Sequence, residues 1–239
     1  MASVQTSKGK FKYQKRNIYI SEKKFDRAKA FENLSLLVDV LNKEGIVVSP
    51  AYGTLLGIIR ENNFIEWDHD IDLFILKEDK EKFLNALWDL RKVGFELFRE
   101  ERCGYLYSIM RSDHYIDFYI MEKISPEVRT SFGEFFVLDR FLTDLRDWDF
   151  RGLSIKIPKD YEECLDFLYG DWRIPVEYPK EEYSKLQKIK IQLIKWIKSC
   201  MPQKMRFEMQ KKHHKIDLEK FLVKCNKKGV VLKYEINYK

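Results

Sequence analysis

Apolar residues recur at spacings of three and four after Ser21, at Phe25, Ala28, Leu34, Leu37, Val38 and Leu41, and Gly45 follows them. That period predicts an amphipathic helix ended by a glycine. Ile46–Ser49 reads as a short apolar strand ended by Pro50, and Gly53–Arg60 as a short helix after a tight turn. Asp70–Leu76 (DIDLFIL) reads as a buried strand, and Asp79–Lys92 as a helix with Phe83, Leu87 and Leu90 on its sheet-facing side, closed by Gly94. Three strands follow, at Phe95–Phe98, Tyr105–Met110 and Tyr115–Met121. The last two are joined by Arg111–His114, whose composition suits a hairpin turn.

The remainder is less regular. Residues 1–20 are polar and basic, and are expected to be mobile as far as Ile18 and Ile20. Phe132–Phe150 is aromatic without a clear period. Residues 151–157 (RGLSIKI) suggest a strand, with Pro158 in the first turn of a helix running through Leu165 and Leu168 to Gly170. Beyond Pro175 and Pro179, Glu181–Cys200 reads as a lysine-rich helix with Leu186, Ile189, Leu193 and Ile197 on one stripe. A second helical stretch surrounds Leu218–Lys224, and Val230–Tyr238 is strand-like. The expected fold is α/β (α+β), a mixed sheet flanked by helices, over residues 21–179, with a basic, mainly helical extension over residues 180–239.

Composition sharpens this only at the C-terminal end. With 45% hydrophobic and 34% charged residues, the chain supports one sizeable core and is not disordered. The net charge of +6 is uneven, because residues 180–239 hold 17 Lys and Arg against 6 Asp and Glu, which leaves the rest acidic. Cys103, Cys164, Cys200 and Cys225 are widely spaced, as reduced thiols would be, and the first 15 residues contain no apolar leader. No later segment approaches the roughly 18 uncharged apolar residues of a membrane span. These readings predict a cytoplasmic protein. Peripheral contact with an anionic membrane at its inner face is left open for the basic tail, and nucleic acid is the weaker candidate. His213 and His214 have no spaced partner ligands and read as part of a solvated basic face.

The chemistry lies in three acids. Residues two apart on a strand project to one side, so Asp70 and Asp72 point together from the start of an otherwise apolar strand. Burying two such carboxylates costs several kcal/mol unless a cation neutralises them, and hard oxygen ligands suit Mg²⁺ or Mn²⁺. Asp117, in Tyr-Ile-Asp-Phe-Tyr, can join them from a neighbouring strand. The competing reading makes Asp70 a turn residue, Asp72 a solvated strand-end acid and Asp117 the polar position of a half-exposed strand. What favours the metal reading is the upstream Ala-Tyr-Gly53-Thr54-Leu-Leu-Gly57, a Gly-Thr turn before a helix N-terminus, where backbone N–H groups attract phosphate. Arg60 either reaches a phosphate or pairs with Glu61 or Asp68. Trp67 reads as packing, and Asp68 as a supporting acid or a turn residue.

The run from Gly53-Thr54-Leu-Leu-Gly57 to Arg60, followed by Phe64-Ile-Glu-Trp-Asp68-His69-Asp70-Ile-Asp72, resembles the signature of the LicD/fukutin family of phosphotransferases. Tyr115-Ile-Asp117-Phe, Ile157-Pro158-Lys-Asp-Tyr161 and Leu168-Tyr169-Gly170-Asp-Trp172 resemble its later elements, so the resemblance spans roughly Phe25–Pro175. It implies a nucleotidyltransferase-type fold in which the Gly53-Thr54 turn and the Asp70-Ile-Asp72 strand form the active site. With the residue readings above, Asp70, Asp72 and Asp117 are the expected metal-binding and catalytic acids, and Gly53, Thr54 and Arg60 the expected donor contacts. It further implies transfer of phosphocholine or a polyol phosphate from a CDP-linked donor to the hydroxyl of a glycan or lipid-linked glycan, in cell-surface polysaccharide modification. His69 departs from the family's run of acids. Two rivals remain: a nucleotidyltransferase moving a nucleoside monophosphate to a small acceptor, and a non-catalytic membrane- or glycan-binding protein of the same fold.

Overall fold

The computed structural model describes residues 1–16, 25–132, 134–176, 193 and 201–236. Its centre is a sheet in the order β3 (Ser49–Pro50), β4 (Ile71–Leu76), β7 (His114–Ser125), β6 (Leu106–Arg111) and β5 (Glu96–Glu101), extended by β8 (Val128–Ser131) on β7 and β9 (Phe135–Leu138) on β8. The β4–β7 pair is parallel and every other pair antiparallel, which makes the sheet mixed, as expected. Ser112 and Asp113, both at positive φ, form the tight turn between β6 and β7.

Helices α1 (Arg27–Lys43) and α3 (Lys80–Lys92) join the apolar face of this sheet. α1 begins at Asp26, whose carboxylate accepts the N–H groups of Ala28 and Lys29, and it buries Leu34, Leu37 and Leu41. On α3 the buried stripe is Phe83, Leu87 and Leu90, and the Phe83 ring lies 4.6 Å from Phe118 of β7. The alternate residues Ile71, Leu73 and Ile75, together with Ile116, Phe118 and Ile120, are all buried. The opposite face of the same strands carries Asp70, Asp72, Tyr115, Asp117 and Tyr119.

Helix α2 (Tyr52–Glu61) packs by its glycines. A Cβ at Gly57 would come within 2.6 Å of Asn63 O and 2.9 Å of Ile65 N, so the returning backbone requires glycine there. Gly53 and Thr54 stand in the first turn of α2 and not in a turn before it, which corrects the expected Gly-Thr turn. The bond responsible is Ala51 N to Asp72 O at 2.9 Å, which holds the chain extended until the helix begins.

Several sequence expectations need correction. Residues 1–16 contain a hairpin, β1 (Ala2–Thr6) and β2 (Gly9–Tyr13), whose alternation buries Val4, Thr6, Phe11 and Tyr13. It is fastened to α3 by Trp88 Nε1 donating to Thr6 Oγ1 at 3.1 Å and by the Arg91 guanidinium on the Phe11 ring. The stretch read as irregular, Phe132–Phe150, holds β9, the short helix α4 (Arg140–Thr143) and β10 (Leu145–Phe150), and β8 ends just before it. β10 pairs with β11 (Leu153–Pro158), so Pro158 ends a strand and α5 (Tyr161–Tyr169) starts later. Ile46–Val48 leads into β3, which consists of Ser49 and Pro50 alone, and Pro50 lies within it on an edge strand.

The C-terminal helix α6 (Gln203–Lys227) is longer than its apolar pattern indicates. Phe221 packs at 5.6 Å from Phe136 and 5.9 Å from Phe167, and Lys224 Nζ donates to Leu168 O. His214 is buried against Phe132, while His213 is exposed, so the pair does not form one solvated face. No strand follows through residue 236. Instead Lys233 N and Tyr234 N donate to Glu127 Oε2. The expected helix at Glu181–Cys200 and the boundary between residues 179 and 180 lie outside the described residues, apart from Leu193. Cys103, Cys164 and Cys225 are free thiols, and Cys200 lies outside the described residues. No helix among the described residues is long and apolar enough to cross a membrane.

Candidate active site

Strand register assembles the site. Asp72 of β4 lies opposite Asp117 of β7, Asp117 opposite Ser108 of β6, and Ser108 opposite Arg99 of β5. One polar row therefore crosses four strands. A β-bulge between Leu97 and Arg99 sets its outer end. Leu97 and Phe98 are both buried, and the extra residue re-aims Arg99 towards the acids. Asp70 enters from the bend just before β4, two residues from Asp72.

Among the described residues, Asp70, Asp72 and Asp117 offer carboxylate oxygens that all lie within 4.8 Å of one another. Arg99 donates Nε to Ser108 Oγ at 2.7 Å and Nη2 to Asp117 Oδ2, which fixes that carboxylate. Asp72 Oδ1 and Asp117 Oδ1 are buried and have no hydrogen-bond partner. Buried carboxylate oxygens are rarely left so, and hard, anionic, convergent donors of this kind fit a divalent cation.

The electrostatics point the same way. Burial raises the Asp70 carboxyl to about 7, and the charges of Asp117 and Asp68 add to the shift. Asp72 is pushed well above the usual carboxylate range by burial and then by Asp70, Asp117 and Asp68. Burial also raises Asp117, opposed by Arg99 and Ser108. Three acids that resist ionising together are stabilised as carboxylates when a cation joins them.

Tyrosines line the acids. Tyr115 stands beside Asp70 and Tyr119 beside Asp72, where each phenol favours the ionised carboxylate. The Tyr119 ring meets Tyr52 at 5.4 Å and Phe135 at 5.2 Å, giving an aromatic wall beside Asp72. Burial raises the phenols of Tyr52, Tyr115 and Tyr119, so all three stay protonated donors at neutral pH.

The N-terminus of α2 approaches the same acids. Thr54 Oγ1 accepts the N–H of Asp72 at 2.9 Å, and the carboxylate of Asp68 sits against Gly53, where any Cβ would overlap it. Ala51 caps this helix without a side-chain hydrogen bond, so no capping side chain covers the first-turn N–H groups. Arg60 stands at the other end of α2, roughly 12 Å along the axis from Tyr52. Its Nη2 pairs with Glu61 at 2.6 Å and its Nη1 donates to Trp172 O at 3.3 Å. Trp67 packs against the core. The structure thus gathers Gly53, Thr54, Asp70, Asp72 and Asp117 and leaves Arg60 apart from them. Sequence reasoning missed Arg99, Ser108, Tyr115 and Tyr119. Tyr115 and Tyr119 alternate with Asp117, which is a signal of shared face.

Residues 45–160 match the family described as LicD/FKTN/FKRP, nucleotidyltransferase domain, a span containing all three acids, α2 and Arg99. This segment belongs to the LicD family. An uncharacterized protein of Rickettsia prowazekii (strain Madrid E), RP689, is 26% identical to this chain over 141 residues. That alignment covers 56% of this chain and 51% of the relative, so the chain spans about half the length of the curated relative it matches. Two solved structures of ANT(2″)-Ia are similar in shape. The crystal structure in complex with adenylyl-2″-tobramycin gives a TM-score of 0.41 at 12% identity, covering 79% of this chain and 97% of that one. The solution structure of this antibiotic-resistance factor gives 0.45 at 10% identity, covering 84% and 100%.

Proposed function

We propose that this LicD-family protein is a metal-dependent phosphotransferase that moves a phospho-alcohol group, phosphocholine or a polyol phosphate, from a CDP-linked donor to a glycan hydroxyl. The observation that carries the reading is the convergence of Asp70, Asp72 and Asp117 oxygens within 4.8 Å, with one oxygen each on Asp72 and Asp117 lacking any protein partner. Membership of the family supports a transferase in the coarser sense.

In this reading Asp70, Asp72 and Asp117 hold Mg²⁺ or Mn²⁺. The cation would neutralise charge on the donor phosphates and favour attack by a hydroxyl. The uncapped N–H groups of Tyr52, Gly53 and Thr54 face the same region and attract a phosphate oxygen. Thr54 fixes the height of α2 on β4 through Asp72 N, so the anion site and the acids keep one spacing. Arg99 and Ser108 orient Asp117 so that its free Oδ1 can take the proton of the attacking hydroxyl. The phenols of Tyr115 and Tyr119 beside Asp70 and Asp72 favour the ionised forms of these acids.

Incubation with a panel of CDP-linked alcohols and Mg²⁺ or Mn²⁺ tests the proposal. Release of CMP supports phospho-alcohol transfer. Release of pyrophosphate from a nucleoside triphosphate, with no CMP from CDP-alcohols, favours the nucleotidyltransferase reading. Absence of both, together with absence of thermal stabilisation by metal and nucleotide, favours a non-catalytic binding protein. The acceptor glycan and the peripheral contact of the basic C-terminal segment with anionic membrane belong to the same proposal.

A further inference from the structure

The turn between β5 and β6 presents an arginine to the aromatic wall of the site. Arg102 and Cys103 both have φ of +54°, and Gly104 follows at +81°. Two consecutive side-chain-bearing residues in the left-handed region are uncommon, and such strain gathers where a side chain must be aimed. Arg102 is aimed at Phe135, with its guanidinium carbon 4.5 Å from the ring centroid, and its Nη2 pairs with Glu134 at 3.1 Å. Its Nη1 is buried and has no hydrogen-bond partner among the described residues.

The position of Phe135 places that nitrogen. The Phe135 ring contacts both Tyr52 and Tyr119, and Tyr119 stands beside Asp72. Tyr52 begins α2, whose first-turn N–H groups are uncapped. The Arg102 charge is near enough to oppose the rise of both tyrosine phenols. The guanidinium thus adjoins the same aromatic cluster as Asp72 and the start of α2. The other arginines near the site are already engaged. Arg99 is bound to Asp117 and Ser108, and Arg60, whose Nε is also buried without a partner, is held by Glu61 and Trp172 O at the far end of α2, away from the acids.

We propose that Arg102 binds an anionic oxygen of the donor's diphosphate through Nη1, with the Phe135 ring holding the guanidinium in place. This rests on the reading of the acids as a nucleotide-donor site, and it assigns the phosphate contact to Arg102. Guanidinium suits the task because its fork matches phosphate oxygens and it stays charged at every working pH. Glu134 competes with the ligand for the same group, so its removal should help binding.

The full-length protein is titrated with CDP and with inorganic pyrophosphate in Mg²⁺, as wild type, Arg102→Gln, Arg102→Lys and Glu134→Gln. Arg102→Gln is expected to weaken both ligands at least tenfold and Arg102→Lys by less. Glu134→Gln, which leaves Arg102 intact, is expected to bind both ligands several-fold more tightly. Unchanged affinity in Arg102→Gln with an unchanged melting temperature overturns the assignment and spares the donor-site reading. If Arg102→Gln does not fold, Glu134→Gln decides: equal or weaker binding than wild type overturns the assignment. A wild-type protein that binds neither CDP nor pyrophosphate overturns both the assignment and the reading beneath it.

Discussion

The hydroxyl of Thr54 accepts the backbone N–H of Asp72 at 2.9 Å, joining the first turn of α2 to the first residues of β4. Thr54 is buried, so its loss leaves the Asp72 N–H without an acceptor. Thr54→Val, nearly isosteric, is expected to cost about 1–3 kcal/mol of stability, the usual penalty for an orphaned buried donor. Thr54→Ser should retain most of it. Urea unfolding of the two variants checks this, and equal stability in both would assign the hydroxyl no structural part.

Gly53→Ala is expected to act on the site more than on the fold. The new Cβ would overlap Asp68 Oδ2, the end of a side chain that can swing away, so the helix need not move. Asp68 charge contributes to the raised carboxyls of Asp70 and Asp72, and its displacement alters the field around both. A fall in turnover of about tenfold, equivalent to about 1.4 kcal/mol of barrier, is expected with the melting temperature nearly unchanged. Full activity in Gly53→Ala would mean that Asp68 has no part in the site.

The pH dependence without metal has a definite sign. Asp70 is raised from 3.8 to about 7, so the metal-free native state binds its proton more tightly than the unfolded chain does. This stabilisation is complete below about pH 4 and is lost as pH rises through about 7. In EDTA, lowering the pH from 8 to 6 should therefore raise the melting temperature of wild type more than that of Asp70→Asn. Saturating Mn²⁺ should stabilise more at pH 8 than at pH 6, because metal and protons compete for the same oxygens. A Mn²⁺ effect that grows on acidification would contradict this.

Arg129 supports a different part of the fold. It is buried, forks onto both oxygens of Glu78, donates Nε to Asp139 at 2.6 Å and Nη1 to Met121 O at 3.1 Å. Arg129→Met leaves Asp139 with Lys123 as its remaining ion-pair partner and frees a carbonyl on β7. A loss of about 3–5 kcal/mol in urea unfolding is expected, the scale for breaking a buried ion pair. A loss below about 1 kcal/mol would show that the network relaxes around the gap.

Where a segment buries one face, the chain could be read directly. α1, α3, β4 and the β6–β7 hairpin have unbroken periods and turn residues of the right type, and the acids of the site lie at period-two positions within them. The N-terminal hairpin was hidden because lysines at positions 8, 10 and 12 suggest solvated coil, although Val4, Thr6, Phe11 and Tyr13 alternate correctly. Pro158 suggested a helix start, but it occupies the end of β11, where no further ladder N–H is needed. Arg99 and Ser108 were illegible for a deeper reason. Their relation to Asp117 depends on a bulge and on the register of three strands, which is long-range information.

The central claim is that Asp70, Asp72 and Asp117 together hold a divalent cation on which donor binding depends. Calorimetric titration of CDP into wild type and Asp72→Asn, each in Mg²⁺ and in EDTA, tests it most directly. CDP should bind wild type in Mg²⁺ and lose at least tenfold in affinity in EDTA, while Asp72→Asn stays folded and binds equally weakly in both. Equal CDP affinity for wild type in Mg²⁺ and EDTA, or undiminished Mg²⁺-dependent binding by Asp72→Asn, would contradict the metal site.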